Sequence, residues 1–228
     1  MENLKALTEA VCCVAREAGH FLKEERKSFR REVVQEKHAH DYVSYVDKAS
    51  EKKVVSALRK LLPEAGFIAE EGSAAYSDET YCWVVDPLDG TTNYIHDNAP
   101  YCVSIALRDK QSLLLGVVYE PCRDECFYAW KGGGAYVNGE RLRVSLVSEL
   151  KDAFVVTELP YNFEQYARTG EHLIHELYGK VAGIRMNGSA ALALCYVAAG
   201  RFDAWLEAFI GKWISLRLHS WCWKPAVR

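Results

Sequence analysis

The sequence has no excess of basic side chains: 28 lysines and arginines stand against 31 aspartates and glutamates in 228 residues, a formal net charge of −3. Proteins dedicated to nucleic acids usually carry a basic patch or stripe, so this balance argues against such a partner. No apolar run approaches the roughly 20 residues of a membrane-spanning helix. The N-terminus also lacks the apolar segment of a secretory signal. We therefore predict a cytoplasmic protein that binds neither nucleic acid nor membrane.

Zinc-binding and dinucleotide-binding patterns are also missing. The eight cysteines include no set of pairs at zinc-finger spacing, and most of them sit in apolar periodic segments, where a free thiol packs like a small hydrophobic side chain. The glycines at 132–134 are not followed by a strand-to-helix pattern, which excludes a dinucleotide loop. With 50% hydrophobic and 26% charged residues, the chain has the composition of a folded globular protein.

Apolar periodicity predicts an α+β protein. Residues 4–22 show the three- and four-residue spacing of an amphipathic helix, and a second helical pattern ends at Pro63. Residues 101–130 alternate like a meander of antiparallel strands. The remaining predicted elements are strands at 66–69, 81–85, 153–157 and 202–206 and helices at 163–180 and 189–199. This order of elements favours layered α and β structure over a regular βαβ array.

The most informative stretch is WVVDPLDGTTN at 83–93. A hydrophobic strand brings Asp86 to its carboxyl end, and Pro87 is expected to stop the ladder because it has no N–H. Asp86 and Asp89 can then converge, and two neighbouring carboxylates need a cation. Hard oxygen ligands, with the Leu88 carbonyl as a neutral third donor, favour Mg²⁺ or Mn²⁺ over zinc.

A phosphate group is expected at the same point of the chain. Gly90 allows close approach of the backbone, and residues 91–93 are helix-capping types whose N–H groups can face an anion. Asp-Pro and Asp-Gly are also common in turns, so the stretch alone leaves an ordinary turn open. Glu70, Glu71 and Asp47 each follow an apolar run of their own. Together with the stretch they favour a two-metal phosphoryl-transfer site.

The run from Asp86 to Asn93 resembles the DPxDGTxN motif of the inositol monophosphatase family. The members of this family are Mg²⁺-dependent, lithium-sensitive phosphatases. Supporting stretches are 41–47, 70–72, 116–121, 132–139, 187–191 and 200–204. The resemblance covers 1–213 and implies the layered α/β/α/β/α sugar-phosphatase sandwich, with one lobe at about 1–150 and a second at about 151–213. Thr91-Thr92 after Asp-Gly resembles the inositol monophosphatase branch more than the nucleotide-bisphosphatase branch.

Carried over by position, the resemblance implies a role for each residue of the site. Glu70, Asp86 and the Leu88 carbonyl would hold one metal, and Asp86 with Asp89 would contribute to a second. Thr91, oriented by Asp47, would position the attacking water. The implied catalytic residues are Asp47, Thr91 and Glu70, and the implied substrate-binding residues are Asp89, Gly90, Thr91, Ala190 and Glu207. Ala190 and Glu207 would face the sugar hydroxyls.

The sequence departs from the family after Trp213. The family has an aspartate next, which completes the second metal site, whereas this chain has Ile214, and isoleucine cannot bind Mg²⁺. Inserting one G after the Trp213 codon turns Ile214 into aspartate and restores a continuation that resembles the family. We therefore expect 214–228 to be a frameshifted, aberrant tail, with the C-terminal part of the second sheet missing and catalysis impaired.

The resemblance implies Mg²⁺-dependent hydrolysis of a small phosphate monoester, in first place an inositol monophosphate or a similar sugar phosphate. The metal ligands do not discriminate between leaving groups, so three other activities remain alternatives: those of 3'(2'),5'-bisphosphate nucleotidase, histidinol-phosphate phosphatase and fructose-1,6-bisphosphatase. An alternative of another class is a catalytically impaired remnant, which Ile214 favours. Family members commonly form dimers, which makes a homodimer a further expectation.

Overall fold

The structure is a computed structural model that describes residues 3–30, 34–38, 41–72, 79–159 and 163–207. Among these residues, no helix combines the length and the apolar character that a membrane crossing requires. The segment 208–228, which contains Ile214 and the expected aberrant tail, lies outside the described residues. The frameshift hypothesis therefore stays a prediction.

The described residues form five α-helices and twelve β-strands, in the order expected of an α+β chain. The helices are α1 (Leu4–Arg26), α2 (Tyr45–Leu61), α3 (Thr91–Ile95), α4 (Phe163–Leu177) and α5 (Ala190–Ala198). The strands are β1 (Gln35–His38), β2 (Asp41–Val43), β3 (Gly66–Ala69), β4 (Tyr81–Asp89), β5 (Cys102–Asp109), β6 (Leu113–Glu120), β7 (Glu125–Trp130), β8 (Gly134–Val137), β9 (Glu140–Arg141), β10 (Phe154–Glu158), β11 (Gly183–Arg185) and β12 (Ala204–Glu207).

The first sheet has seven strands in the order β3-β4-β5-β6-β7-β8-β9. Only β3 and β4 are parallel, and the other neighbours pair antiparallel, which confirms the predicted meander. Helices α1 and α2 cover one face through a core that includes Leu22, Leu58 and Trp83. Helix α1 extends four residues beyond the predicted end at Leu22, to Arg26.

The second sheet has three parallel strands in the order β11-β10-β12. Helix α5 lies between the sheets, because Leu192 shares a core with Phe127 of the first sheet and Val156 of the second. Val155 faces the opposite side of β10 and packs with Leu177 of α4. The layers therefore run from α1 and α2 through the first sheet, α5 and the second sheet to α4, which confirms the expected α/β/α/β/α sandwich.

The sequence interpretation was wrong about where β4 ends. The strand does not stop before Pro87 but continues to Asp89, pairing Asp86 with Ser104 and Asp89 with Cys102 across a register shift. Proline interrupts the ladder because it has no N–H, and the bulge lets pairing resume on its far side. Strand β11 was missed entirely because a three-residue strand carries too short an apolar pattern.

Candidate active site

The bulge in β4 fixes the geometry of the first aspartate. Asp86 is buried, with 4% of its surface exposed, and its Oδ1 accepts a hydrogen bond from the N–H of Leu88 at 3.0 Å. This bond folds the chain back over Pro87 and keeps the Asp86 carboxylate beside the Leu88 backbone. The carboxylate and the carbonyl group expected to act together therefore come from one short turn.

Asp47 reaches the same turn from helix α2. Ser44 caps the helix, and both its N–H and its hydroxyl group donate to Asp47 Oδ2, at 2.8 and 2.7 Å. The other oxygen, Asp47 Oδ1, lies 3.4 Å from Thr91 Oγ1. Burial raises the pKa of Asp47, and the negative charge of Asp86 raises it further, although the hydrogen bonds from Ser44 oppose the rise.

Thr91 completes this arrangement at the start of α3. Its hydroxyl group donates to the Leu88 carbonyl at 3.0 Å and faces Asp47 Oδ1 on another side. Gly90 precedes it with a φ of +93°, the left-handed region that favours glycine. The structure thus brings together Asp47, Leu88 and Thr91 beside the buried Asp86, at the point that the sequence motif indicated.

Asp89 is held by the opposite layer of the molecule. Its Oδ2 accepts hydrogen bonds from Ser189 Oγ at 2.6 Å and from the N–H of Ala191 at 2.9 Å, both at the N-terminus of α5. Ala190 therefore lies next to Asp89 and is buried. A second bridge joins the same regions, because Asn93 Nδ2 donates to the carbonyl group of Asn187 at 2.7 Å.

Glu207 lies at the end of β12, where parallel pairing places it beside Glu158 of β10. Its Oε2 is buried and has no hydrogen-bond partner among the described residues. Burial, with the charges of Glu158 and Asp89, raises the pKa of Glu207 to about 8. A buried carboxyl oxygen without a partner among the described residues, at the edge of this site, is available to a polar ligand group.

The structure does not bring every expected metal ligand into one cluster. The side chain of Glu70 is exposed at the end of β3, although its N–H donates to the Val85 carbonyl at 3.3 Å. In the described part of the chain, no three histidine, cysteine, aspartate or glutamate side chains are arranged as a metal site. Asp47 and the Leu88 carbonyl both contact Thr91 Oγ1, and Asp86 lies beside them in the same turn.

These residues nevertheless fit a hard divalent cation. All of the donors are oxygen atoms, which Mg²⁺ prefers. Burial is the main cause of the raised pKa of Asp47, and repulsion by the buried Asp86 carboxylate adds to it. A cation between the two carboxylates would relieve that repulsion.

Three residues of the site escaped the sequence interpretation. Ser189 orients Asp89, and Glu158 Oε1 accepts the N–H groups of Asn187 and Gly188 at 2.7 and 2.9 Å. Glu51, fully buried on α2, accepts the N–H of Glu71 at 2.6 Å. Glu158 directly follows the predicted strand at 153–157, but its closeness to Glu207 depends on the parallel pairing of β10 with β12, which the sequence did not indicate.

The family model described as "Inositol monophosphatase family" matches residues 3–221, so the chain belongs to this family of phosphatases. The match extends past Trp213 and includes Ile214. Among curated proteins, the Nus factor SuhB of Escherichia coli K12 is 40% identical over 200 residues, 87% of this chain and 75% of the relative. A protein of Aquifex aeolicus named "Fructose-1,6-bisphosphatase/inositol-1-monophosphatase" is 37% identical over 213 residues, 93% of this chain and 81% of the relative.

Solved structures show the same fold. The extragenic suppressor protein suhB from Bartonella henselae superposes with a TM-score of 0.88 at 34% identity, covering 95% of this chain and 84% of that chain. The IMPase of Thermotoga maritima superposes with a TM-score of 0.80 at 33% identity, covering 89% and 76%. The family resemblance read from the sequence is therefore confirmed, and so is the α+β fold.

Proposed function

We propose that the protein hydrolyses a small phosphate monoester, an inositol monophosphate or a similar sugar phosphate, in a Mg²⁺-dependent reaction. The observation that supports this most directly is the contact of Thr91 Oγ1 with both Asp47 Oδ1 and the Leu88 carbonyl, at 3.4 and 3.0 Å. A hydroxyl group fixed from two sides next to a buried aspartate is suited to orienting a water molecule. The names of the relatives from Aquifex aeolicus and Thermotoga maritima support the same chemistry.

The residues that would hold Mg²⁺ lie in the β4 turn and at the end of the neighbouring strand β3. Glu70, Asp86 and the Leu88 carbonyl would bind one ion, and Asp86 with Asp89 would contribute to a second. Bound Mg²⁺ would supply a water of lowered pKa and neutralise charge on the phosphate. Asp89 would use Oδ1 more readily than Oδ2, since Oδ2 already accepts hydrogen bonds from Ser189 and Ala191.

Asp47 and Thr91 position the water in this proposal. Ser44 holds Asp47 Oδ2, which leaves Oδ1 directed at Thr91. The Thr91 hydroxyl donates its one proton to the Leu88 carbonyl or to Asp47, so its lone pairs can accept a proton of the water. That acceptance would direct the water oxygen toward phosphorus.

Gly90, Ala190 and Glu207 would bind the substrate. The backbone N–H groups of Gly90 and Thr91 can approach phosphate oxygens because no side chain projects from Gly90. Glu207, with a pKa of about 8, is protonated at neutral pH and can both donate to and accept from a sugar hydroxyl. A neutral polyol suits this group better than a second phosphate, whose charge would repel Glu158 and Asp89.

A panel of phosphate esters tests the proposal. Phosphate release is measured with Mg²⁺ from inositol monophosphate, fructose 1,6-bisphosphate, histidinol phosphate and adenosine 3',5'-bisphosphate. In the chain with the restored reading frame, we expect inositol monophosphate to be the best substrate and Asp89→Asn to abolish turnover, with the exposed Asp152→Asn as the matched control. Unchanged activity of a folded Asp89→Asn protein would rule out the assignment.

The same panel tests the expected impairment. Because Ile214 replaces a metal-binding aspartate of the family, we propose that the 228-residue chain turns over orders of magnitude more slowly than a chain with the restored reading frame. The two chains are compared at equal concentration, and sequencing the gene around the Trp213 codon tests the frameshift directly. Equal rates would show that the aspartate is dispensable.

The Nus factor SuhB of Escherichia coli, 40% identical to this chain, supports a second candidate, a Nus factor role. Complementation of Escherichia coli lacking that protein would test it, with wild type and Asp89→Asn expressed side by side. Equal complementation by both would favour the Nus factor role without catalysis. Complementation by neither would count against this candidate.

A further inference from the structure

We propose that Glu51, which no step of the mechanism above uses, is a positioning residue whose carboxyl group holds the turn after β3 so that Glu70 can bind Mg²⁺. Glu51 lies on α2 and is fully buried. Its Oε2 accepts a hydrogen bond from the N–H of Glu71 at 2.6 Å. The proposal rests on the proposed function, since it concerns the metal that the reaction would use.

Glu70 stands at the corner of a tight turn. The N–H of Gly72 donates to the Ala69 carbonyl at 3.3 Å, which closes the turn, and Gly72 has a φ of +73°. Glu70 is exposed, so burial of its side chain does not fix the direction in which it points. The backbone on either side of Glu70 therefore has to set that direction.

Both peptide groups that flank the Cα of Glu70 are held by other elements. On one side, the Glu70 N–H donates to the Val85 carbonyl, at 3.3 Å, in the parallel neighbour β4. On the other side, the peptide group after Glu70 contains the Glu71 N–H, which donates to Glu51. A peptide group is planar, so fixing both groups fixes the direction of the Cα–Cβ bond of Glu70. The first contact relates Glu70 to Asp86, which directly follows Val85, and the second relates it to α2.

The same face of α2 holds two other segments of the site. Asp47, Ser50 and Glu51 have the three- and four-residue spacing of neighbours on one side of a helix, and all three are buried. Asp47 Oδ1 lies 3.4 Å from Thr91 Oγ1. Ser50 Oγ donates to the Pro87 carbonyl at 3.2 Å. One helix therefore sets the relative positions of the start of α3, the β4 turn and the turn after β3.

The buried face of α2 is apolar after Glu51, where Val54, Val55 and Leu58 follow. A carboxyl group buried at such a place costs free energy unless it accepts hydrogen bonds. The 2.6 Å contact with the Glu71 N–H is one that an apolar side chain could not make. The glutamate therefore supplies an acceptor that fastens the turn after β3 to the helix.

Calorimetric titration of the full 228-residue chain with Mg²⁺ alone tests the proposal, because it measures binding without turnover. Glu51→Leu removes the acceptor at similar size, and we expect the dissociation constant for Mg²⁺ to rise about 10–100-fold. Glu51→Gln keeps an oxygen that can accept the Glu71 N–H, so its affinity should stay close to that of the parent chain. Asp86→Asn, which alters a proposed ligand, shows how weak binding becomes when the site itself is damaged.

Glu120 offers a matched control for the loss of a buried glutamate. It is also fully buried, and its carboxyl group accepts the N–H groups of Cys122 and Arg123. That turn carries no residue assigned to the site. Glu120→Leu should therefore lower the melting temperature, as Glu51→Leu should, but leave the affinity for Mg²⁺ unchanged.

Four outcomes would overturn the proposal. Glu51→Leu could bind Mg²⁺ as tightly as the parent chain, or Glu120→Leu could weaken binding as much as Glu51→Leu does. Equal weakening in Glu51→Leu and Glu51→Gln would assign the effect to the charge of the carboxyl group and not to the position of the turn. If Glu51→Leu does not fold, Glu51→Met replaces it, because methionine adapts to the same space; failure of both to fold would make Glu51 a purely structural residue.

The titration also separates this proposal from the proposed function. Binding of Mg²⁺ by the parent chain, without hydrolysis of any phosphate ester by the chain with the restored reading frame, would refute the proposed function and leave the role of Glu51 standing. Hydrolysis with unchanged Mg²⁺ affinity in Glu51→Leu would do the reverse. No binding of Mg²⁺ by the parent chain would overturn both.

Discussion

Replacing Gly90 by alanine should destabilise the junction of the two sheets. Gly90 adopts a φ of +93°, and a Cβ atom added there would lie 3.0 Å from the Pro100 carbonyl oxygen and 3.2 Å from that of Gly188. It would also lie 3.2 Å from the Tyr101 Cα. All three neighbours are backbone atoms, so no side chain can rotate away, and the chain segments themselves would have to move.

Two costs add up at this position, and a second glycine separates them. The left-handed conformation costs an L-residue about 1–2 kcal/mol, and overpacking costs about 1–3 kcal/mol more. Gly139 has the same φ of +93° with nothing within 4 Å of its added Cβ, so Gly139→Ala should show the first cost alone. We therefore expect Gly90→Ala to be less stable than Gly139→Ala by about 1–3 kcal/mol.

Urea unfolding followed by circular dichroism measures this difference, and thermal melting should show it as roughly 2–12 °C. In the chain with the restored reading frame, phosphate release should fall about 10–100-fold in Gly90→Ala, because a small displacement of the Asp89–Thr91 turn disturbs the reacting groups. In Gly139→Ala it should match the parent chain. Equal stability of the two variants would show that the close backbone approach at Gly90 has no energetic consequence, and the reasoning would fail.

Three further changes test the site. Thr91→Ala should lower kcat with little effect on KM, because the hydroxyl group acts on the water in the transition state. Steady-state kinetics, with Thr92→Ala as the control, measure both constants. A rise in KM alone would indicate that Thr91 only binds phosphate. Ser189→Ala removes a 2.6 Å donor to Asp89 and should cost about 1.5–3 kcal/mol in urea unfolding, whereas unchanged stability would mean that Asp89 does not need this partner. The pKa of Glu207 is about 8 in the folded protein, above the ordinary value of 4.5. Between these two pH values the folded protein keeps the Glu207 carboxyl group protonated and the unfolded protein does not. The stability of the wild type therefore falls as the pH rises from about 4.5 to about 8. Glu207→Gln should remove that fall. Its free energy of unfolding should exceed that of the wild type by roughly 2–4 kcal/mol at about pH 9, allowing for the partial exposure of the side chain, and by little at about pH 4. Urea unfolding of both proteins in chelator across this pH range measures the difference, and the same pH dependence in both would contradict the prediction.

Short sequence patterns were sufficient to predict most of the first sheet and one side of the site. The stripe of α1, the meander and the DPLDGTTN run each lie within a short segment, so periodicity and turn chemistry were sufficient to predict them. Asp86, Leu88 and Thr91 meet because the turn that joins them is itself local. The extension of β4 past Pro87 was not predictable in this way, because it depends on pairing with β5, which supplies partners on both sides of the bulge.

The opposite side of the site depends on contacts that are distant in sequence. Ser189 meets Asp89 across 100 residues of chain, and Glu158 approaches Glu207 only because β10 and β12 are parallel and in register. Neither pairing follows from the spacing of residue types. The predicted metal ligand Glu70 also depends on strand pairing for its position, since the parallel pairing of β3 with β4 brings its N–H to the Val85 carbonyl; its role as a ligand stays a prediction.

Asp89 connects the two halves of this architecture. By chain it is the last residue of β4 in the first sheet, and by hydrogen bonding it belongs to the start of α5, which packs on the second sheet. Its orientation therefore depends on where α5 sits, and α5 is held by the core that contains Val156 and Phe202. A change that loosens the second sheet would reach Asp89 through this helix, while Asp86, held by the Leu88 N–H within its own turn, would keep its position. The two aspartates of the motif differ in this respect. Asp86 is fixed within its own turn, whereas the position of Asp89 depends on the packing between the two sheets.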